Sequence, residues 1–127
     1  MAIHQEITIA APPSKVYDAL TNSKAFAKMT GGKKAEIATE AGGQFSMFDG
    51  AIAGRHVELV PGKRVVQAWR SQAWPEGVYS IVRFELSPDG GKTHLVFDQS
   101  GYPDAAHDML TGGWHKMYWE PMAHMLA

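Results

Sequence analysis

From Ile3 the chain alternates: Ile3, Gln5, Ile7 and Ile9 fall on one face, and His4, Glu6 and Thr8 on the other. That period predicts a half-buried strand over Ile3–Ala10. Pro12-Pro13 end the strand and suit the first turn of a helix. Val16, Ala19 and Leu20 then recur at helical spacing through Ser14–Leu20. Thr21-Asn22-Ser23 supplies a break and a cap, and a second short helix follows over about Lys24–Met29. The two short helices are expected to form a V.

The middle of the chain returns to strand periodicity. Gly31-Gly32 opens it, and strands are expected over Lys34–Thr39, Gln44–Phe48, Ala51–Val60, Arg64–Arg70, Tyr79–Leu86 and Thr93–Ser100. The breaks between them carry turn chemistry: Ala41-Gly42-Gly43, Asp49-Gly50, Pro61-Gly62, and Ser87-Pro88-Asp89-Gly90-Gly91. A longer loop, Ser71–Gly77, contains Trp74-Pro75. Short strands joined by short turns imply an antiparallel meander.

A helix closes the chain, over about Asp104–Leu126. Leu110, Trp114, Met117 and Pro121 form an apolar stripe, widened by Tyr118, Met122 and Met125, which should pack on a sheet. Pro121 should remove a backbone bond and kink the last turn. Gly112-Gly113 lies inside this helix, where each glycine is less favourable than alanine by about 1 kcal/mol. Close backbone approach, or room for something bound, would account for keeping them. The expected class is α+β: one strand, two short helices, six antiparallel strands, and a long C-terminal helix gripped by a strongly curved sheet, with Trp114 buried against its concave face.

The chain has 127 residues, which implies one domain able to bury a core of its own. A net charge of −1 without a basic stripe gives no reason to expect a nucleic-acid partner. No stretch approaches the roughly 20 apolar residues of a membrane span. The first residues have no basic segment followed by an apolar run, so no signal peptide is expected. There are no cysteines, which excludes disulfides and thiol chemistry. The expected setting is soluble and cytoplasmic, with oligomeric state open between monomer and dimer.

Several segments resemble the helix-grip domains, which include Bet v 1-like allergens, START lipid-binding domains and polyketide cyclases. Among these the chain is most similar to the domain of the Hsp90-ATPase activator homologues. The residues that carry the likeness are Ile9-Ala10-Ala11-Pro12 with Val16-Tyr17-Asp18-Ala19-Leu20; Gly42-Gly43-Gln44-Phe45; Gly54 through Pro61 running into Arg64-Val65-Val66-Gln67-Ala68-Trp69; Thr93 through Gly101; and Gly113-Trp114 with Tyr118-Trp119. They span nearly the whole chain in the family's order. The eukaryotic activators carry an additional N-terminal domain, whereas here the first strand begins at once, so a single domain over residues 1–127 is expected. The resemblance implies the helix-grip fold and, for its cyclase members, polar side chains at work inside the cavity.

Candidate chemistry is sparse. Gly90-Gly91-Lys92-Thr93 resembles the end of a phosphate-binding loop, but such a loop needs a glycine where Leu86 stands, and it opens a helix rather than joining strands. It reads as a hairpin turn. Glu120 with His124, and Asp108 with His115, could each share a helical face, but zinc wants three or four ligands, so no metal and no cofactor are expected. His56, Asp98, Asp49 and Glu58 are the acid–base candidates. Alternation puts Val57 and Leu59 inward, hence His56 and Glu58 outward; likewise Leu95, Phe97 and Gln99 inward and Asp98 outward. No catalytic residue is assigned.

The aromatic and methionine set gives the stronger indication. Phe45, Met47, Trp69, Phe84, Phe97, Trp114, Met117 and Tyr118 all fall on the predicted inner faces. They make either a filled core or the lining of a cavity between helix and sheet, and methionines suit adaptable pockets. Gln67 and Gln99 on the same faces need polar partners or a ligand. With Gly113, these residues are the candidate lining for an apolar or aromatic small molecule. Two other functions are open: a protein-interaction module contacting its partner through the sheet's outer face or the Ala73-Trp74-Pro75 loop, and a cyclase-like enzyme. A cavity holding two or more ionisable groups would favour the enzyme.

Overall fold

The computed structural model describes residues 1–127. The elements run β1 (Ala2–Ile9), α1 (Pro13–Thr21), α2 (Ser23–Met29), then β2 (Glu36–Ile37), β3 (Gln44–Met47), β4 (Ile52–Val60), β5 (Arg64–Ser71), β6 (Ser80–Asp89) and β7 (Lys92–Ser100). The chain ends in a helix over residues 104–126. The seven strands form one antiparallel sheet in the order β1-β7-β6-β5-β4-β3-β2, so β1 crosses over to pair with the last strand. This is the expected α+β helix-grip arrangement. The helix lies on the inner face of the sheet, and Trp114 is 2% exposed.

Local chemistry sets the boundaries. Pro13 occupies the first turn of α1, where its missing N–H is harmless. Asn22 caps α2 by accepting from the Ala25 N–H at 3.0 Å. The β6–β7 turn is tighter than the five residues expected. Gly90 and Gly91 hold φ of 57° and 88°, which allows a two-residue turn, so the ladder continues to Asp89 opposite Lys92. Thr93, the hydroxyl of the phosphate-loop lookalike, is buried and donates to the Ala11 carbonyl at 2.7 Å.

Two expectations about side-chain direction are corrected. His56 was expected outward and Val57 inward, but His56 is 1% exposed while Val57 lies in solvent. The cause is a β-bulge. His56 pairs with Gln67 and Glu58 with Val66, so Val57 is an extra residue that reverses the alternation upstream of it. The inner stripe of the C-terminal helix also shifts. His107–Trp114 (α3) and Glu120–Leu126 (α4) are joined by a π turn over His115–Trp119, in which the Glu120 N–H reaches back to the His115 carbonyl. The wider turn inserts one residue into the helical count. The buried side continues through Trp114, Tyr118, Trp119 and Met122, and Met117, expected on the inner face, is 37% exposed. The bond that Pro121 cannot make falls just past this turn, in the first turn of α4.

The core is aromatic at its centre. Trp114 stands 4.2 Å from Phe97, 4.4 Å from Tyr118 and 5.2 Å from Trp69 between ring centres. Gln5, the one polar residue on the inner side of β1, straps the helix down. Its amide donates to the Thr111 carbonyl at 3.0 Å and its oxygen accepts from Trp119 Nε1 at 2.7 Å. At Gly54 in β4 an added methyl would run into the Ala68 carbonyl and lie 2.7 Å from Phe45 Cζ. Gly54→Ala is therefore expected to destabilise the fold by about 1–3 kcal/mol, read as a lower urea midpoint. An unchanged midpoint would contradict this packing.

The outer face of the sheet carries a ladder of charges. His4 bonds Asp98 (2.7 Å) and Glu6 (2.9 Å), Arg83 bonds Asp98 (3.1 Å), and Arg64 bonds Glu58 (2.7 Å) and Glu85 (3.3 Å). These partners raise the His4 pKa, Asp98 most of all. His56 moves the other way. Burial lowers its pKa, against a bond from Nε2–H to the Ala38 carbonyl at 2.9 Å. Below the ordinary value of 6.5 the unfolded chain protonates this imidazole and the native chain resists, so its contribution to stability is lost as pH falls. The contribution of His4 has the opposite sign, present below 6.5 and lost as pH rises through its raised value. An NMR titration of the imidazole protons should place His56 below and His4 above that value. The reverse order would refute both environments.

Candidate functional site: an apolar cleft beside the C-terminal helix

An open cleft of about 780 Å³ lies between the first half of the C-terminal helix, the loop after β5 and the β3–β4 hairpin. Thirteen of its 19 lining residues are hydrophobic, and the volume falls in the range of about 300–1,000 Å³ usual for small-molecule sites. The cleft exists because little of α3 is buried, Trp114 alone among its eight residues. Gly113 adds to the space, whereas Gly112 lies outside the cleft and is exposed. A side-chain carbon at either position would meet nothing within 4 Å. Close backbone approach therefore does not account for these glycines, and room beside the helix does so for Gly113.

Trp69, Gly113, Trp114, Met117 and Tyr118, five of the residues singled out from the sequence, line the cleft. Met117 does so by virtue of its displacement from the inner face. Phe45, Met47, Gln67, Phe84, Phe97 and Gln99 do not reach it; they are buried in the core behind. The two glutamines have partners within the protein. Gln99 accepts from Trp114 Nε1 at 2.8 Å and donates to Ser80 Oγ at 3.1 Å. Gln67 reaches His56 Nδ1 at 3.5 Å. His56 thus donates through Nε2 and accepts through Nδ1, the arrangement of a neutral core histidine.

The sequence reading missed the far wall. Trp74 and Pro75, first considered as a protein contact, face Met109, Leu110 and Gly113 across the cleft, and Phe48 and Ile52 come from the β3–β4 hairpin. Two signals for these were present: a tryptophan in an otherwise polar loop, and Phe48 just before Asp49-Gly50. Phe48 holds φ at 55°, unusual for a bulky side chain. Its ring packs edge-on to Phe26 at 5.5 Å and lies 5.8 Å from Tyr118.

The polar content of the cleft is small. Lys33 and Asp49 stand exposed at its mouth, with the Lys33 ammonium 5.8 Å from the Phe48 ring centre. Asp49 accepts from the Lys34 N–H at 2.7 Å, and Ser71 Oγ accepts from the Ala73 N–H. Inside, one titratable side chain is buried, Tyr118. Burial pushes its pKa far up, against a weak bond from Trp69 Nε1 at 3.5 Å. The phenol keeps its proton at any ordinary pH. Nowhere do three His, Asp or Glu side chains come together in a metal-ligating arrangement. No helix is long and apolar enough to cross a membrane.

Comparison with known proteins agrees with this architecture. A mouse activator of 90 kDa heat shock protein ATPase homolog 2 is 36% identical over 92 residues, covering 72% of this chain but 28% of its own length. The human homolog 1 is 29% identical over 113 residues, with 89% and 33% covered, so the chain spans about a third of the length of these relatives. The crystal structure of an Hsp90 activator from Plasmodium falciparum superposes with a TM-score of 0.94 at 24% identity, over 99% of this chain and 96% of that one, a likeness of fold. The family model for activator of Hsp90 ATPase homolog 1-like proteins matches residues 10–127. The chain therefore belongs to the activator of Hsp90 ATPase homolog 1-like family.

Proposed function

We propose that this protein binds an apolar or aromatic small molecule in the cleft between its C-terminal helix and sheet. The observation that carries the reading is the cleft itself, about 780 Å³ and mostly apolar, beside a helix where Gly113 leaves it unfilled. Trp69, Trp114, Met117 and Tyr118 make the near wall of the site, with Gly113 leaving the gap. Phe84, Phe97 and Gln99 support that wall from behind through contacts with Trp114, while Phe45, Met47 and Gln67 belong to the buried core. Trp69, Trp74 and Trp114 are built-in reporters. An aromatic probe such as 9-fluorenone should quench their emission saturably, with one molecule bound per chain. Quenching that rises linearly without saturation would contradict the reading.

A second reading is favoured by the relatives. The mouse and human proteins are named for activation of a 90 kDa heat shock protein ATPase, so this chain is a candidate interaction module for an Hsp90-type chaperone. The test is the ATPase rate of purified Hsp90 with and without the chain. An unchanged rate together with no detectable complex would exclude it. The cyclase-like reading has less support. The cleft buries a single titratable group, a phenol held in its protonated form and so suited to donating a hydrogen bond rather than to exchanging a proton.

A further inference from the structure

The indole and phenol groups around the cleft differ in how their protons are used. Trp114 Nε1 donates to Gln99 at 2.8 Å, and Trp119 Nε1 donates to Gln5 at 2.7 Å; both are fully engaged. Trp69 Nε1 is not. Its one partner is the Tyr118 hydroxyl, at 3.5 Å the far limit of a hydrogen bond. That contact uses the phenol as an acceptor, and the phenol's own proton meets no acceptor in the protein. Tyr118 is 3% exposed and Trp69 also 3%, so bulk water does not satisfy them freely. Both residues line the cleft.

Two buried donors thus stand side by side at the cleft: the Tyr118 hydroxyl proton has no protein acceptor, and the Trp69 indole proton has only the Tyr118 oxygen at 3.5 Å. Buried polar groups are almost always paired, and an unpaired donor is the exception that calls for an explanation. We infer that the ligand of this cleft carries an acceptor oxygen of the carbonyl type, received jointly by Tyr118 Oη–H and Trp69 Nε1–H. The inference rests on the binding reading above and narrows it: the molecule is an apolar or aromatic ketone, quinone, ester or similar carbonyl compound rather than a plain hydrocarbon. Burial holds the phenol in its protonated form, so the donor pair is present throughout the neutral range.

The test uses two probes of nearly the same shape, 9-fluorenone and fluorene, which differ by one carbonyl oxygen. Calorimetric titration of the wild-type chain should give about three- to tenfold tighter binding of fluorenone, the gain usual for one or two neutral hydrogen bonds. The C=O stretch of bound fluorenone should shift to lower frequency than in a hydrocarbon solvent. Tyr118→Phe removes a single oxygen. It should bring the affinity ratio toward one through weaker fluorenone binding and undo most of the frequency shift. Trp69→Phe is the second variant and should produce a partial loss of the same two signals. Each variant's melting temperature verifies that it is folded. Equal affinities in the wild type, or a ratio and a carbonyl shift that survive in Tyr118→Phe, overturn the inference while leaving the binding reading intact. If neither probe binds the wild type, the binding reading fails and the inference falls with it.

Discussion

Trp114→Ala is expected to lower stability by about 3–5 kcal/mol, the usual result of removing a large buried aromatic side chain. Trp114 is the hub where the helix meets the sheet. Its ring lies within 6.0 Å of Phe97, Tyr118, Trp69, Trp119 and Phe84 between centres, and each of those rings would lose a face of contact. A second loss adds to the first. The indole proton satisfies Gln99 Oε1 at 2.8 Å, and its removal leaves a buried amide oxygen unpaired, a penalty of about 1–3 kcal/mol unless water enters from the cleft. Trp114→Phe separates the two effects by keeping much of the ring and dropping the N–H. The alanine variant should melt roughly 10–20 °C lower, given the few degrees per kcal/mol expected at this chain length. A loss under about 1 kcal/mol in urea titration would mean that the helix is not held to the sheet through this residue.

Gly113→Leu should do the opposite to stability and the most to binding. Two effects compete when a helical glycine is enlarged: a gain of up to about 1 kcal/mol in helix propensity, and a typical overpacking cost of about 1–3 kcal/mol. The second requires neighbours, and a carbon added at Gly113 finds none within 4 Å. The larger side chain would extend into the cleft instead. The variant is expected to stay within about 1 kcal/mol of wild type, or to exceed it, by the propensity gain. Its affinity for 9-fluorenone should fall more than tenfold, because the added side chain occupies the site. Destabilisation by more than about 2 kcal/mol would point to a tight wall at Gly113 and to overpacking. Gly54→Ala is the internal contrast, since the smaller change meets a backbone carbonyl at once.

Much of the fold could be read from the sequence because its signals are local. The alternation at Ile3–Ile9, the turn glycines and the long apolar stripe with Trp114 each fix an element and a face without reference to distant residues. The errors arose where one inserted residue changes the phase. The bulge at Val57 reversed His56, and the π turn at His115–Trp119 moved Met117 off the inner face. Periodicity assumes constant phase, so neither was visible in the pattern. The cleft was half legible for a different reason. Alternation tells which way a side chain faces but not how far the opposite wall stands. Phe84, Phe97 and Gln99 face inward as read and meet other side chains, while Trp69 and Tyr118 on the same faces border open space. The far wall comes from residues 48–52 and 73–75, and it meets residues 103–110 across the cleft; these segments are far apart in sequence, and their convergence leaves no trace in any single one.

On the proposed reading the cleft is a binding site rather than an incidental gap. Calorimetric titration of the wild-type chain and of Gly113→Leu with 9-fluorenone, repeated at several temperatures, tests it most directly. The account predicts binding of one molecule per wild-type chain with a negative heat-capacity change, the mark of apolar surface being buried, and loss of that binding in a Gly113→Leu variant of equal stability. Absence of binding to the wild type, or binding that is unchanged in the variant, would contradict it.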